Sequence, residues 1–130
     1  MRFLPLFFDL ASGPVILVGD GREALAKLRI LKAAGARVRW HVLSQEVADE
    51  PEAQDVEVRI GLPNDEDLLG VVALVASAGR DIDQQLAAQA RAMNVPVNIV
   101  DRPDLSTFIF PSIVDRGDVV VAIGTGGTSP

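Results

Sequence analysis

The stretch VILVGDGREALAK, Val15 to Lys27, decides how the rest of the chain is read. Four apolar residues run into Gly19, as in a strand buried on both faces. From Arg22 the apolar residues Ala24, Leu25, Leu28, Ile30, Leu31 and Ala34 recur at helical spacing, and Gly35 supplies a stop. Gly19, Gly21 and Ala24 between them fit G-x-G-x-x-A. In that pattern the first glycine permits a tight turn, the second lets an anion approach the backbone, and the small third residue lets helix pack on strand. The helix N-terminus adds unpaired N–H donors and partial positive charge. The same residues also suit a bare strand-to-helix turn, and Asp20 brings a carboxylate that repels phosphate. Both readings stand at this point.

Working outward, ARVRWHVL alternates, with Val38, Trp40 and Val42 on one face, and predicts a strand covered mainly on one side. DVEVRI repeats the pattern with Val56, Val58 and Ile60, and the acidic SQEVADEPEAQ between them reads as surface loop or frayed helix. PNDEDLLG carries helix-start chemistry, with acids in the first turn. VVALVAS predicts a buried strand, and DIDQQLAAQARAMN a helix with Ile82, Leu86, Ala90 and Met93 on one stripe. VPVNIV is a further strand. Two apolar runs joined by Asp115-Arg116-Gly117-Asp118 then predict a β-hairpin. Near the start, FLPLFFDL is too short for a secretory apolar region, broken as it is by Pro5 and Asp9, and reads as a buried strand.

Strands alternating with helices call for a parallel sheet with crossover connections. The expected fold is therefore α/β: a Rossmann-like parallel sheet with helices on both faces, followed by an antiparallel β-hairpin. The 130 residues are expected to form one domain, 1–130.

Composition narrows the chemistry. No cysteine is present, so a disulfide framework, a thiolate metal site and a cysteine nucleophile are excluded. His41 is the one histidine, which removes a multi-histidine metal site within the chain; no metal ligands are expected. A cytoplasmic setting is the default. Twelve basic against 18 acidic residues give a net charge of −6, which argues against nucleic-acid and anionic-membrane surfaces. No apolar run approaches the ~20 residues of a membrane span.

Dinucleotide sites of this type usually place an acid about 20 residues beyond the glycine loop, on the adenosine ribose. ARVRWHVLS contains none. Arg37 and Arg39 suit a 2′-phosphate, yet they also suit solvated strand positions or pairing with Glu57 across the sheet. Asp101 stands just past a parallel strand's carboxyl end, where ligands bind in open α/β sheets; it also suits a turn before Arg102-Pro103. AIGTGGTSP reads either as a tail or as a backbone nest for an anion.

FLPLFFDL leading into VILVGDG, then NIVDRPDLSTFIFPSIVDR, then VVVAIGTGGTSP, closely resembles the N-terminal module of sirohaem synthases. These are precorrin-2 dehydrogenases, some also sirohydrochlorin ferrochelatases, and the resemblance covers essentially the whole chain in one register. It implies NAD-dependent oxidation of a tetrapyrrole, precorrin-2, to sirohydrochlorin, with Fe2+ as a further substrate in bifunctional members. The family's catalytic aspartate matches Asp101. Its dinucleotide contacts match Gly19, Asp20, Gly21, Arg22 and Glu23, then Leu43 and Ser44, then Ser77. Arg102, Arg116 and Arg80 are the nearest cations for a substrate rich in carboxylates, and Asn98 and Thr125 join Arg102 and Arg116 as substrate candidates.

The chain departs from the pattern in places. The family usually has three glycines where Gly19-Asp20-Gly21 stands, a threonine followed by acids or amides at Ser77-Ala78-Gly79-Arg80, and two serines at Gly124-Thr125. It also continues past GGTSP into helices that form its dimer and complete its cleft. The expectation is a truncated chain, one that needs a partner, or one that has lost activity. A homodimer is expected, with the hairpin from Phe108 to Ile123 contributing. The alternative is a non-catalytic dinucleotide-binding or interaction domain derived from the same family.

Overall fold

A computed structural model describes residues 1–124. Five parallel strands, β1 (Val15–Val18), β2 (Val38–Val42), β3 (Glu57–Ile60), β4 (Ala73–Ala76) and β5 (Val97–Ile99), form one sheet in the order β3-β2-β1-β4-β5. The order reverses between β1 and β4, which is where an open α/β sheet opens its ligand crevice. Helix α1 (Arg22–Ala33) lies on one face, where Ala24, Leu28 and Leu31 pack with Val15, Leu17 and Trp40. On the other face, Leu86, Ala87 and Ala90 of α3 (Arg80–Ala92) pack with Ile16, Val18 and Leu74. Alternate residues of β1 thus feed two cores, which is why that strand is apolar at every position.

The segment after β2 holds one short helix, α2 (Gln45–Ala48), and a 3-10 turn at Pro51–Ala53. The helix expected from PNDEDLLG shrinks to a 3-10 turn, Glu66–Leu68. Asn64 and Asp67 exchange side-chain to backbone hydrogen bonds at 2.9 Å in both directions. The chain then turns at Gly70, with φ +73, leaving no length for a second helical turn.

Three strand expectations are corrected. FLPLFFDL forms no strand: Phe7 is 81% exposed, and only Phe3 and Leu10 are partly covered. The sheet edge beyond β5 is already closed, because Ser106 and Thr107 satisfy it. The Ser106 hydroxyl accepts from Ile99 N–H at 2.9 Å, Thr107 Oγ1 accepts from Val97 N–H at 2.8 Å, and Thr107 N–H donates to Val97 O at 2.7 Å. With that row of donors and acceptors filled, the N-terminal run finds no partner. Second, β2 is covered on both sides, since His41 is only 2% exposed. Third, β3 is an edge strand, and its Ile60 is 56% exposed rather than buried.

The hairpin is present as β6 (Ser112–Asp115) and β7 (Val120–Ile123), paired antiparallel. Asp115 accepts from Gly117 N–H at 2.9 Å, and Gly117 takes φ +77. The strands begin at Ser112, not Phe108: Phe108 and Phe110 turn back onto the α1-side core. Every residue of both hairpin strands is exposed.

Candidate functional site

The carboxyl ends of β1, β2 and β4 bring the predicted nucleotide residues together. Gly19 follows β1 with φ +135, and a Cβ there would stand 2.1 Å from the Ser77 carbonyl oxygen. Only glycine lets the first loop pass the β4 loop at that distance. The crossing is pinned on both sides: Ser77 N–H donates to Val18 O at 2.9 Å, and Gly19 N–H donates to His41 O at 3.1 Å. Trp40 Nε1–H donates to Gly19 O at 2.9 Å, so a β2 side chain holds the loop from beneath.

Gly21 differs in kind. Its φ of −85 suits any residue, and beyond its immediate chain neighbours nothing lies within 4 Å of where a Cβ would stand. It is the N-cap of α1, yet no side chain caps that helix. The first N–H groups of α1 therefore face open space with their partial positive charge unspent. A backbone left bare beside an uncapped twelve-residue helix fits a pyrophosphate.

The remaining nucleotide candidates sit around it. Asp20 Oδ1 accepts from Leu43 N–H at 2.6 Å, beyond the end of β2. Ser44 is the N-cap of α2, its hydroxyl accepting from Val47 N–H at 3.4 Å. Ser77 donates to Glu23 Oε2 at 3.4 Å. The loop after β4 is held by a residue absent from the predicted set. Asp83 is buried in α3 and accepts from Ala78 N–H at 2.8 Å, and burial pushes its carboxyl pKa up.

Asp101 lies past β5 in a turn closed by Arg102 N–H on Ile99 O at 3.0 Å, and its φ is +61. Left-handed backbone costs a non-glycine residue about 1 kcal/mol or more, aspartate bearing it better than most. Asp101 thus forms the turn that one sequence reading expected, and that turn stands past the carboxyl end of β5. Among the described residues its carboxylate accepts no hydrogen bond. Just before it, Asn98 is buried, with Nδ2 donating to Phe108 O at 3.0 Å and Oδ1 buried without a partner.

Lys27 is the functional candidate the sequence reading missed. It is half-buried on α1 with its ammonium 4.5 Å from the centroid of the Phe110 ring. Burial lowers its pKa, while the carboxylates of Asp101 and then Glu23 pull it back up. The site thus holds one cation close to Asp101. The Glu23–Lys27 spacing of four on a helix was the available signal.

Other candidates are placed apart or already engaged. Arg102 spends its guanidinium on Asp104, at 3.0 and 2.8 Å. Arg116 sits in the exposed hairpin turn, and Arg80 opens α3. Thr125 lies outside the described residues. Arg39 pairs with Glu57, its register partner on β3, as one sequence reading had it, and Arg37 precedes β2 at the opposite end of the sheet. Among the described residues no group of three or more His, Asp or Glu could hold a metal ion, and no helix is long and apolar enough to cross a membrane.

The family model described as "Putative NAD(P)-binding" matches residues 6–112. The chain belongs to this NAD(P)-binding family. Within it, the chain is 40% identical to a siroheme synthase of Ectopseudomonas mendocina (strain ymp) and 42% identical to one of Stutzerimonas stutzeri (strain A1501). Both matches cover all of this chain but 28% and 29% of those proteins, so the chain spans less than a third of these relatives. Among solved structures, SirC, a precorrin-2 dehydrogenase, superposes with a TM-score of 0.70 over 98% of this chain and 64% of that one. At 22% identity the likeness speaks to the fold, and it bears out the Rossmann-like architecture of this NAD(P)-binding domain.

Proposed function

We propose that the chain is the dinucleotide-binding and proton-transferring module of a precorrin-2 dehydrogenase, acting in sirohaem biosynthesis with NAD. One observation carries the reading: the bare, uncapped N-terminus of α1 at Gly21 shares the carboxyl edge of the sheet with Asp101. The relatives named siroheme synthase support the substrate. NAD bound there supplies a hydride acceptor.

The residues of this chain do the rest. Gly19, Gly21, Arg22 and Glu23 carry the phosphate loop, Leu43 and Ser44 border the adenosine side, and Ser77 closes the crossing. Asp101, free of hydrogen bonds among the described residues, takes the proton that leaves the macrocycle as the hydride departs, then passes it to solvent. Together these steps remove two electrons and two protons from the substrate. Lys27 offsets the negative charge of Asp101 beside the substrate's carboxylates. Asn98 joins the proposed substrate set, though its buried Oδ1 must first be uncovered. Arg102, Arg116 and Thr125 complete the proposed substrate set, though Arg102 must first release Asp104.

The proposal extends to a homodimer built on the exposed hairpin, since unpaired apolar edges favour pairing with another chain. It also includes Fe2+ as a second substrate with Asp101 as the proton acceptor, and a cytoplasmic setting, in keeping with a cysteine-free sequence. The deciding measurement is anaerobic NADH formation from precorrin-2 and NAD, with the chain joined to whatever follows it in its gene. NADH production that falls by roughly two to four orders of magnitude in Asp101→Asn is expected. NAD binding without any turnover would favour the non-catalytic alternative.

A further inference from the structure

The structure returns an acid to a place where the sequence lacks one. Rossmann-type sites hold the adenosine ribose by a carboxylate at the end of the second strand. Here that position reads Val42-Leu43-Ser44, with no acid. Asp20 reaches it from the first loop instead, its Oδ1 fixed on Leu43 N–H at 2.6 Å. We infer that Asp20 selects NAD over NADP: its carboxylate, carried from the glycine loop to the end of β2, accepts from the adenosine ribose hydroxyls and excludes a 2′-phosphate. The inference rests on the dinucleotide reading above.

Three features support it. A carboxylate offers about four acceptor positions, and the Leu43 N–H uses one, leaving Oδ2 open on a half-buried side chain. That single bond also fixes the rotamer, so the ribose would meet a preset acceptor. Beside Asp20 lies a cavity of about 190 Å³ whose lining includes Glu50 and Glu52 as well, against the single cation Arg22. A dianionic 2′-phosphate would meet the carboxylates of Asp20 and Glu50 there, while Glu52 is paired with Arg29 at 3.4 Å. Finally, the arginines whose sequence positions suited such a phosphate are elsewhere: Arg39 is paired with Glu57 and donates to Asp67 O, and Arg37 lies at the sheet's amino end. The doubt that Asp20 raises beside a pyrophosphate is answered by its tether, because the Leu43 N–H holds Oδ1 at the end of β2 and takes up part of its charge.

Isothermal calorimetry on the 130-residue chain tests this with NAD, NADP and 2′-deoxy-NAD. Wild type should bind NAD at least tenfold more tightly than either of the others, the usual worth of one charge-assisted hydrogen bond or more. Asp20→Asn keeps an oxygen for Leu43 N–H but loses the charge. It should weaken NAD severalfold, tighten NADP on the order of tenfold, and narrow the preference accordingly. Asp20→Gly, which restores a bare loop, serves if the asparagine variant misfolds, with the same change in preference. Equal wild-type affinity for NAD and NADP, or a preference unchanged in both variants, would overturn the inference while leaving dinucleotide binding intact. Binding of none of the three would instead remove the dinucleotide reading, and the inference with it.

Discussion

Gly19 and Ser77 cross so closely that any side chain at Gly19 would place its Cβ 2.1 Å from the Ser77 carbonyl oxygen. The contact joins the loops after β1 and β4 across the point where strand order reverses. Gly19→Ala must therefore bear both a left-handed φ of +135 and a backbone collision. It should destabilise the fold by about 2–4 kcal/mol, read as a lowered urea midpoint. A midpoint within error of wild type would show that the crossing is looser than described.

Gly21 should behave in the opposite way. Its conformation is unstrained and its surroundings are open, so Gly21→Val should alter stability by less than about 1 kcal/mol. NAD binding should collapse, because the branched side chain fills the space beside the α1 N–H groups. Unchanged affinity in calorimetry would reduce the loop to a turn.

Asp101→Asn should retain the fold, since asparagine accepts the left-handed backbone at least as readily. It should also retain NAD affinity. Dehydrogenation should fall by roughly two to four orders of magnitude, the usual worth of a positioned proton acceptor. Near wild-type NADH production would remove Asp101 from the mechanism.

His41 gives the fold a pH dependence. Its Nδ1–H donates to Gly61 O at 2.9 Å, and its Nε2 is buried without a partner. Burial lowers its pKa; the hydrogen bond to Gly61 O and then Asp67 oppose that shift, and Arg59 and Arg39 add to it. The folded state therefore resists a proton that the unfolded chain accepts near pH 6.5. No cost arises above that value, and stability falls as pH drops from it toward the lower folded pKa. Denaturation midpoints at pH 7.5 and pH 5.5 should differ more for wild type than for His41→Gln, both pH values being about a unit from the unfolded pKa. An identical difference in the two proteins would show that His41 titrates as it does in the unfolded chain.

Homodimerisation is tested at the hairpin. Val120 and Ile123 are exposed on β7, and lysine at both positions should leave the protomer's fold, read by circular dichroism, intact while lowering the melting temperature by whatever association contributes. Wild type should sediment as a dimer at tens of micromolar and the double variant as a monomer. A monomeric wild type removes the dimer from the proposal.

What the sequence determined by itself is local. Val15–Val18 reads as a buried strand because every position is apolar, and α1 and α3 follow from 3.6-residue spacing over three turns or more. Gly19, Gly21 and Asp101 are legible because turn chemistry depends on near neighbours. The tertiary structure decided whatever depends on who stands opposite. FLPLFFDL has the apolar content of a strand, but content does not provide an edge, and Ser106 and Thr107 had already closed the one beside β5. Lys27 and Asp101 are 74 positions apart in the chain, and only the packing of α1 beside the 100–110 segment brings their charges within reach. Asp20 shows the difference most plainly. Position along the chain puts its carboxylate in a phosphate loop, whereas a backbone N–H 23 residues away turns it toward β2. Covalent neighbours set which conformations a residue can adopt; its electrostatic role follows from hydrogen bonds that form only once the strands have paired.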